Sequence, residues 1–189
     1  MQPQQAARLL AGINVPWWVA GGWALDLFLG FQTRPHDDFD VGILRRNVAD
    51  VIAGFPEWQF FEARSEVLYR LGPCERPRAE VNSLWARPRN VDGWSLELML
   101  DEADDDTWVF RRLPAIRMSL AKAVKRTSEG IPYLTPEIQL LYKARQPRAK
   151  DLDDFERVVE RLGVSEREWL RDALSLVDPQ HAWVTKLRR

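Results

Sequence analysis

The segment Arg34-Pro35-His36-Asp37-Asp38-Phe39-Asp40-Val41 sets two carboxylates two residues apart at the start of a β-like run. Successive strand side chains point to opposite faces, so Asp38 and Asp40 share one face while Phe39 and Val41 share the other. Two carboxylates held side by side repel, and the arrangement is stable chiefly with a cation between them. Magnesium suits such a pair, because it accepts one or two carboxylates and completes its octahedron with water and phosphate oxygens. Taken alone, an Asp-x-Asp pair is weak evidence, since most such pairs are solvated loop acids. Its surroundings sharpen the reading. Upstream, Val19-Ala20-Gly21-Gly22-Trp23 reads as a strand end, a glycine pair and a helix start. Glycines there let backbone N–H groups approach a phosphate, with the positive end of a helix facing the anion. Downstream, Leu96, Leu98 and Leu100 define one face of a strand and leave Glu97 on the other. An acid inside an apolar strand is costly unless charge faces it, although a sheet with one wet face would also carry it.

Elements of two kinds must position these residues. Helical spacing of Leu25, Phe28 and Leu29 predicts a helix over Trp23–Leu29, and Phe39–Leu44 reads as a strand. Val48–Phe55 is a short helix ended by Pro56. Strand-like runs follow at Trp58–Phe61, Val67–Leu71, Glu80–Ala86, Trp94–Leu100 and Trp108–Arg111, rich in the aromatic and branched residues that pleated surfaces favour. Beyond Gly130-Ile131-Pro132 the pattern is helical. Thr135 and Pro136 mark one helix start. Phe155, Val158, Val159 and Leu162 form a stripe ended by Gly163. Ser165 with Glu168 reads as a capping box opening a helix that buries Trp169, Leu170, Ala173 and Leu174, and a last helix contains Trp183 and Leu187. The fold class expected is α+β: a small mixed sheet with flanking helices over residues 1–130 and a C-terminal helical bundle over residues 131–189.

Composition limits the partners. Of 189 residues, 46% are hydrophobic and 29% charged, the balance of a soluble globular chain able to bury its own core. The net charge of −1 disfavours long nucleic acid, whose binders carry a basic excess. Cys74 is the single cysteine and has no partner for an internal disulfide. The run from Val15 to Phe31, broken by glycines and Asp26, is too short to span a bilayer, and a cytoplasmic location is expected. An acidic run, Asp101, Glu102, Asp104, Asp105 and Asp106, follows the Glu97 strand. It reads as a solvated turn, with attraction of a cationic ligand as the alternative. The nine tryptophans are read as packing residues.

Gly-Gly, an Asp-x-Asp strand and one acid on a later strand, in that order, resemble the nucleotidyltransferases of the polymerase-β superfamily. Val19-Ala20-Gly21-Gly22-Trp23-Ala24-Leu25-Asp26, then Gly30 and Thr33 through Asp40, is similar to the small bacterial aminoglycoside and lincosamide nucleotidyltransferases. So are Gly130 through Glu137, Leu140-Leu141-Tyr142-Lys143-Ala144 and Lys150-Asp151. The resemblance runs from Val15 to the last helices. Phe39 departs from it, standing where an aliphatic residue is commoner.

The resemblance implies a polymerase-β-like fold, two magnesium ions, ATP as the nucleoside triphosphate, and a role in antibiotic resistance. Asp38 and Asp40 would hold the metals, Gly21 and Gly22 would cradle the phosphates, and Glu97 would serve as general base or third metal-side acid. Lys143 would reach the phosphates, and Arg34 and His36 would lie near the nucleotide. AMP would pass to a hydroxyl of a small-molecule acceptor of the aminoglycoside or lincosamide type. Two alternatives stay open: a protein or transfer-RNA acceptor, and a non-catalytic domain that binds nucleotide or a partner. Intact Asp38, Asp40 and Glu97 speak against the last. The residues leave the oligomeric state undetermined.

Overall fold

The computed structural model describes residues 1–64, 67–72 and 75–188; Cys74 lies outside them. In chain order the elements are α1 (Pro3–Leu10), β1 (Trp17–Val19), α2 (Gly21–Leu29), β2 (Asp40–Leu44), α3 (Val48–Gly54), β3 (Trp58–Arg64), β4 (Val67–Leu71), β5 (Ser83–Pro88) and β6 (Leu96–Asp104). There follow β7 (Thr107–Val109), β8 (Arg117–Ser119), α4 (Leu120–Ala123), β9 (Val124–Arg126), β10 (Pro132–Leu134), α5 (Pro136–Lys143), α6 (Ala149–Val159), α7 (Val164–Val177) and α8 (Ala182–Lys186). The strands lie in the order β4-β3-β5-β6-β2-β1-β10-β9, and β7 pairs with the far end of β6 and with β8. Only β1–β10 and β2–β6 among these pairs are parallel. The expected α+β class, a mixed sheet flanked by helices, is what forms.

Alternation along the strands gives the sheet two apolar faces and the chain two cores. On one face Val41, Ile43, Leu84, Leu98 and Leu100 pack with Ala6 and Leu10 of α1 and Val51 of α3. On the other, Trp18 and Leu44 pack with Leu25 of α2, Ile138 and Leu141 of α5, Phe155 and Val158 of α6, and Leu170 and Leu174 of α7. The second core therefore joins the sheet to the carboxy-terminal helices. Within it Trp18 of β1 lies across from Gly42 of β2. A Cβ on Gly42 would come within 1.9 Å of the Trp18 indole nitrogen.

Several local readings need correction. Gly163 does not end a helix in the left-handed conformation; its φ is −65° and it is the N-cap of α7. Ser165 lies inside α7, where its hydroxyl donates to Glu166 at 3.0 Å, so the expected capping box does not form. Thr135 does precede Pro136 at the start of α5, but its hydroxyl makes no capping bond. The acidic run is no single solvated turn. β6 continues to Asp104, Asp101 is buried, Glu102 pairs with Arg45 at 2.5 Å, and Asp104 pairs with Arg117. Alternation explains this, because one residue in two of an extended strand must point inward.

The Gly42 contact makes a stability prediction. Gly42→Ala should lower unfolding free energy by about 1–3 kcal/mol, the usual cost of an overpacked core. Combined with Trp18→Leu, the added methyl should cost less than it does alone. Urea denaturation of both single variants and the double variant gives the coupling; additive losses would show that the indole does not set the limit.

Candidate active site

Parallel pairing of β2 with β6 puts Asp40 directly across from Glu97. The Glu97 amide donates to the Phe39 carbonyl at 3.0 Å, which fixes that register. Leu96, Leu98 and Leu100 are buried beneath β6, so Glu97, Met99 and Asp101 share the opposite face. Asp38 stands in an exposed bend just before β2, and Phe39 turns into the core at 1% exposure. Among the described residues, Asp38, Asp40 and Glu97 form the one cluster of acid, histidine or cysteine side chains offering ligand atoms all within 4.8 Å of one another. The crowding has an electrostatic signature. Burial, then the charges of Glu97 and Asp38, push the Asp40 carboxyl up to about 7. Burial and Asp38 also raise Glu97, against a hydrogen bond from Ser83. An all-oxygen set whose negative charge Lys143 and Lys150 only partly offset fits a hard divalent cation such as magnesium.

The glycine pair is explained by close approach. Gly21 has a φ of +63°, and a Cβ there would fall 1.8 Å from Asp40 Oδ2. A Cβ on Gly22 would come within 2.4 Å of His36 and 2.7 Å of Arg34. The start of α2, the acidic strand and the loop before it thus meet at van der Waals distance. The Gly21 amide donates to the Gln139 side chain of α5 at 2.8 Å, so it is already committed within the protein. Gly22 lies in the first turn of α2, where amides have no helical acceptor.

The neighbouring residues are held by a second set of contacts. His36 Nε2 lies 2.6 Å from Asp26 Oδ2, and its ring stacks at a tilt against Trp23 with centroids 4.5 Å apart. Asp26 also accepts from the Thr33 hydroxyl at 2.6 Å and the Thr33 amide at 3.1 Å. These bonds hold Asp26 below the ordinary carboxylate range despite its burial. Lys143 ends α5 and is nearly buried between Asp151 at 2.6 Å and Asp154 at 3.0 Å, both on α6. Arg148 joins Asp151 at 2.9 Å and Arg34 reaches Asp154 at 3.4 Å. Asp151 lies far below the ordinary range, because Arg148 and Lys143 outweigh its burial.

All eight residues singled out in the sequence, Gly21, Gly22, Arg34, His36, Asp38, Asp40, Glu97 and Lys143, line one cleft of about 540 Å³. Asp154 and Gln139 carry no sequence signal of their own, and Asp151 drew attention only beside Lys150. Of the acidic run, Asp101 alone lines the cleft, and it is engaged by the Tyr142 hydroxyl at 2.7 Å and the Trp108 indole at 3.2 Å. Trp23, buried in the first core, also borders the cleft, whereas Trp18 and Trp108 belong to the second core and do not. Among the described residues no helix is long and apolar enough to cross a membrane.

The model of the aminoglycoside-2''-adenylyltransferase family matches residues 4–158. A 2''-aminoglycoside nucleotidyltransferase of Escherichia coli is 57% identical over 28 residues, a stretch that spans 15% of this chain and only 16% of that protein. In fold, the chain is similar to the antibiotic-resistance factor ANT(2'')-Ia, with a TM-score of 0.60 and 19% identity over 91% of this chain and 90% of that one. It is also similar to the lincomycin-bound lincosamide antibiotic adenylyltransferase LnuA, with a TM-score of 0.55 and 17% identity over 82% of this chain and 92% of that one. The resemblance legible in the sequence is borne out.

The acid cluster makes a prediction for the metal-free protein. Asp40 binds its proton more tightly folded than unfolded, so the native state loses stability as pH rises from about 4 through about 7. Asp40→Asn removes that loss. In chelator-treated buffer the variant should melt higher than the parent at pH 8, and the gap should close below pH 4. A gap that does not change with pH would mean that Asp40 is not destabilised by its neighbours.

Proposed function

Because this chain belongs to the aminoglycoside-2''-adenylyltransferase family, we propose that it transfers AMP from ATP to a hydroxyl of a small-molecule acceptor in the cytoplasm. The observation that carries this reading is the convergence of Asp38, Asp40 and Glu97 beside the glycine start of α2. The acceptor oxygen bonds to the α-phosphorus, the bond from that phosphorus to its bridging oxygen breaks, and pyrophosphate leaves with the electron pair. Magnesium, as two ions held by Asp38 and Asp40, would offset negative charge on the phosphate oxygens.

The remaining work falls to side chains. Glu97 takes the proton of the attacking hydroxyl. Burial raises its basicity above that of an ordinary glutamate, which favours this role. The Gly22 amide faces the phosphates from the first turn of α2, while the Gly21 amide fixes the turn through Gln139. Arg34 and His36, packed against Gly22, orient the phosphates. Lys143 contributes positive charge felt at Asp40 while remaining tied to Asp151 and Asp154. In this reading residues 1–130 are the transferring head and residues 131–189 the helical part that covers it, bridged by the β1–β10 pair.

Aminoglycosides and lincosamides, named for the relatives, head the panel of acceptors to be tested. Incubation with magnesium, ATP and hydroxyl compounds should give a product heavier by one AMP, read by mass spectrometry. Asp38→Asn and Asp40→Asn should abolish it. Glu97→Gln should slow single-turnover transfer by about 10²–10⁴-fold, the usual worth of general-base catalysis, with little change in affinity for a non-hydrolysable triphosphate. If affinity falls together with the rate, Glu97 is chiefly a metal ligand. Near-normal turnover in either aspartate variant would defeat the metal assignment.

A further inference from the structure

The cleft continues along β6 beyond the acid cluster. On the same face Glu97 is followed by Met99 and then Asp101, roughly 13 Å along the strand at about 3.3 Å per residue. Arg111 and Arg112, from the segment after β7, and Arg145, just past α5, line the cleft around Asp101. Elsewhere in the cleft Arg34, Lys143 and Arg148 each pair with Asp151 or Asp154, and Lys150, without an ion pair among the described residues, faces the acid cluster and acts on Asp40. Among the described residues Arg111, Arg112 and Arg145 form no ion pair within 4.0 Å, while the nearby Asp101 carboxylate already accepts from Tyr142 and Trp108.

Two of the three are held in position. Arg112 Nη1 donates to the Tyr142 carbonyl at 3.0 Å. The Arg111 and Arg112 guanidinium carbons lie 4.9 and 5.6 Å from the Tyr142 ring centroid. That ring is itself fixed through its hydroxyl to Asp101. Burial, then the like charges of Arg111 and Arg145, push the Arg112 guanidinium down. Three guanidiniums that share the single buried carboxyl of Asp101, which acts on Arg111, and form no ion pair among the described residues carry an excess of positive charge; this is the chemistry of an oxyanion site, since each guanidinium presents paired donors to a carboxylate or phosphate.

We propose that the acceptor carries an oxyanion (a carboxylate, phosphate or sulfate) which Arg111, Arg112 and Arg145 hold while its hydroxyl lies at Glu97. This rests on the nucleotidyl-transfer reading and narrows it. A polycation would bring ammonium groups against three guanidiniums, so the acceptor class differs from the one for which the family is named. The phosphates of the nucleotide offer the same oxyanion chemistry, and the test must separate the two sources.

The test uses the full chain with magnesium and a non-hydrolysable ATP analogue. First, calorimetry of the parent and of Arg112→Gln/Arg145→Gln measures nucleotide affinity. It should agree within twofold. A tenfold loss in the variant assigns the arginines to the triphosphate and overturns the proposal, whereas no nucleotide binding in the parent defeats the nucleotidyl-transfer reading itself. Second, the nucleotide-loaded protein is titrated with glucuronate, glucose 6-phosphate and trehalose 6-phosphate, each against its neutral parent sugar, and with tobramycin. The charged member of at least one pair should bind at least tenfold more tightly than its neutral parent, and the double variant should lose that preference. No preference in any pair, a preference that survives the double substitution, or tobramycin binding more tightly than every anionic probe would overturn the proposal.

Discussion

Parallel strands cannot be joined by a tight turn, and the pairing of β2 with β6 is accordingly separated in sequence by α3, the antiparallel pair β3 and β4, and β5. That one pairing is the constraint on which the site depends. It sets Asp40 across from Glu97, turns the leucines of β6 away, and leaves Glu97, Met99 and Asp101 as the floor of the cleft. A slip of one residue would carry Glu97 into the core and Leu96 or Leu98 into the cleft. The buried leucines therefore protect the register as effectively as the backbone bonds do. Their burial stabilises only one alignment, and that alignment brings the acids together.

Concentrating acid at one point obliges the surroundings to respond. Close to the cluster the response is steric: Gly21 and Gly22 leave room for Asp40, His36 and Arg34 where any side chain would collide. Further out it is electrostatic. Lys143 sits between Asp151 and Asp154, with Arg148 and Arg34 at their outer edges, forming a nearly balanced ionic layer that ties α5 to α6. A buried pair of this kind contributes modest net stability but is costly to break, because removing one member strands the other. The layer can hold Lys143 at a fixed distance from Asp40 without neutralising the acid cluster, whose Asp40 remains strongly perturbed.

The acids were legible in the sequence because alternation is a local rule: Glu97 amid three leucines announces its face without knowledge of any partner strand. Asp38 was legible only as half of a spacing. It lies before β2, so its approach to Asp40 depends on the bend and on Phe39 being drawn into the core. Helices with long apolar stripes, such as α6 and α7, were visible for the same reason as Glu97. The three-residue strands β8, β9 and β10 were not, since three residues carry no period and form because neighbours accept their backbone bonds. Helix α1 went unassigned. The Gln139 bond to Gly21 and the sharing of Lys143 join residues far apart in sequence, and no composition or spacing encodes such a meeting.

The floor of the cleft has a further consequence for how such a protein can change over generations. Its acidic end is locked by strand register, where acids, glycines and core side chains meet. The walls over its far end come from the segment after β7 and the residues just past α5, which lie outside the central sheet. Mutations there leave the alignment of β2 with β6 untouched. Substitution there can rewrite what the cleft admits while the acid cluster keeps its geometry, so the shape of the entrance and the alignment of the acids are free to vary separately.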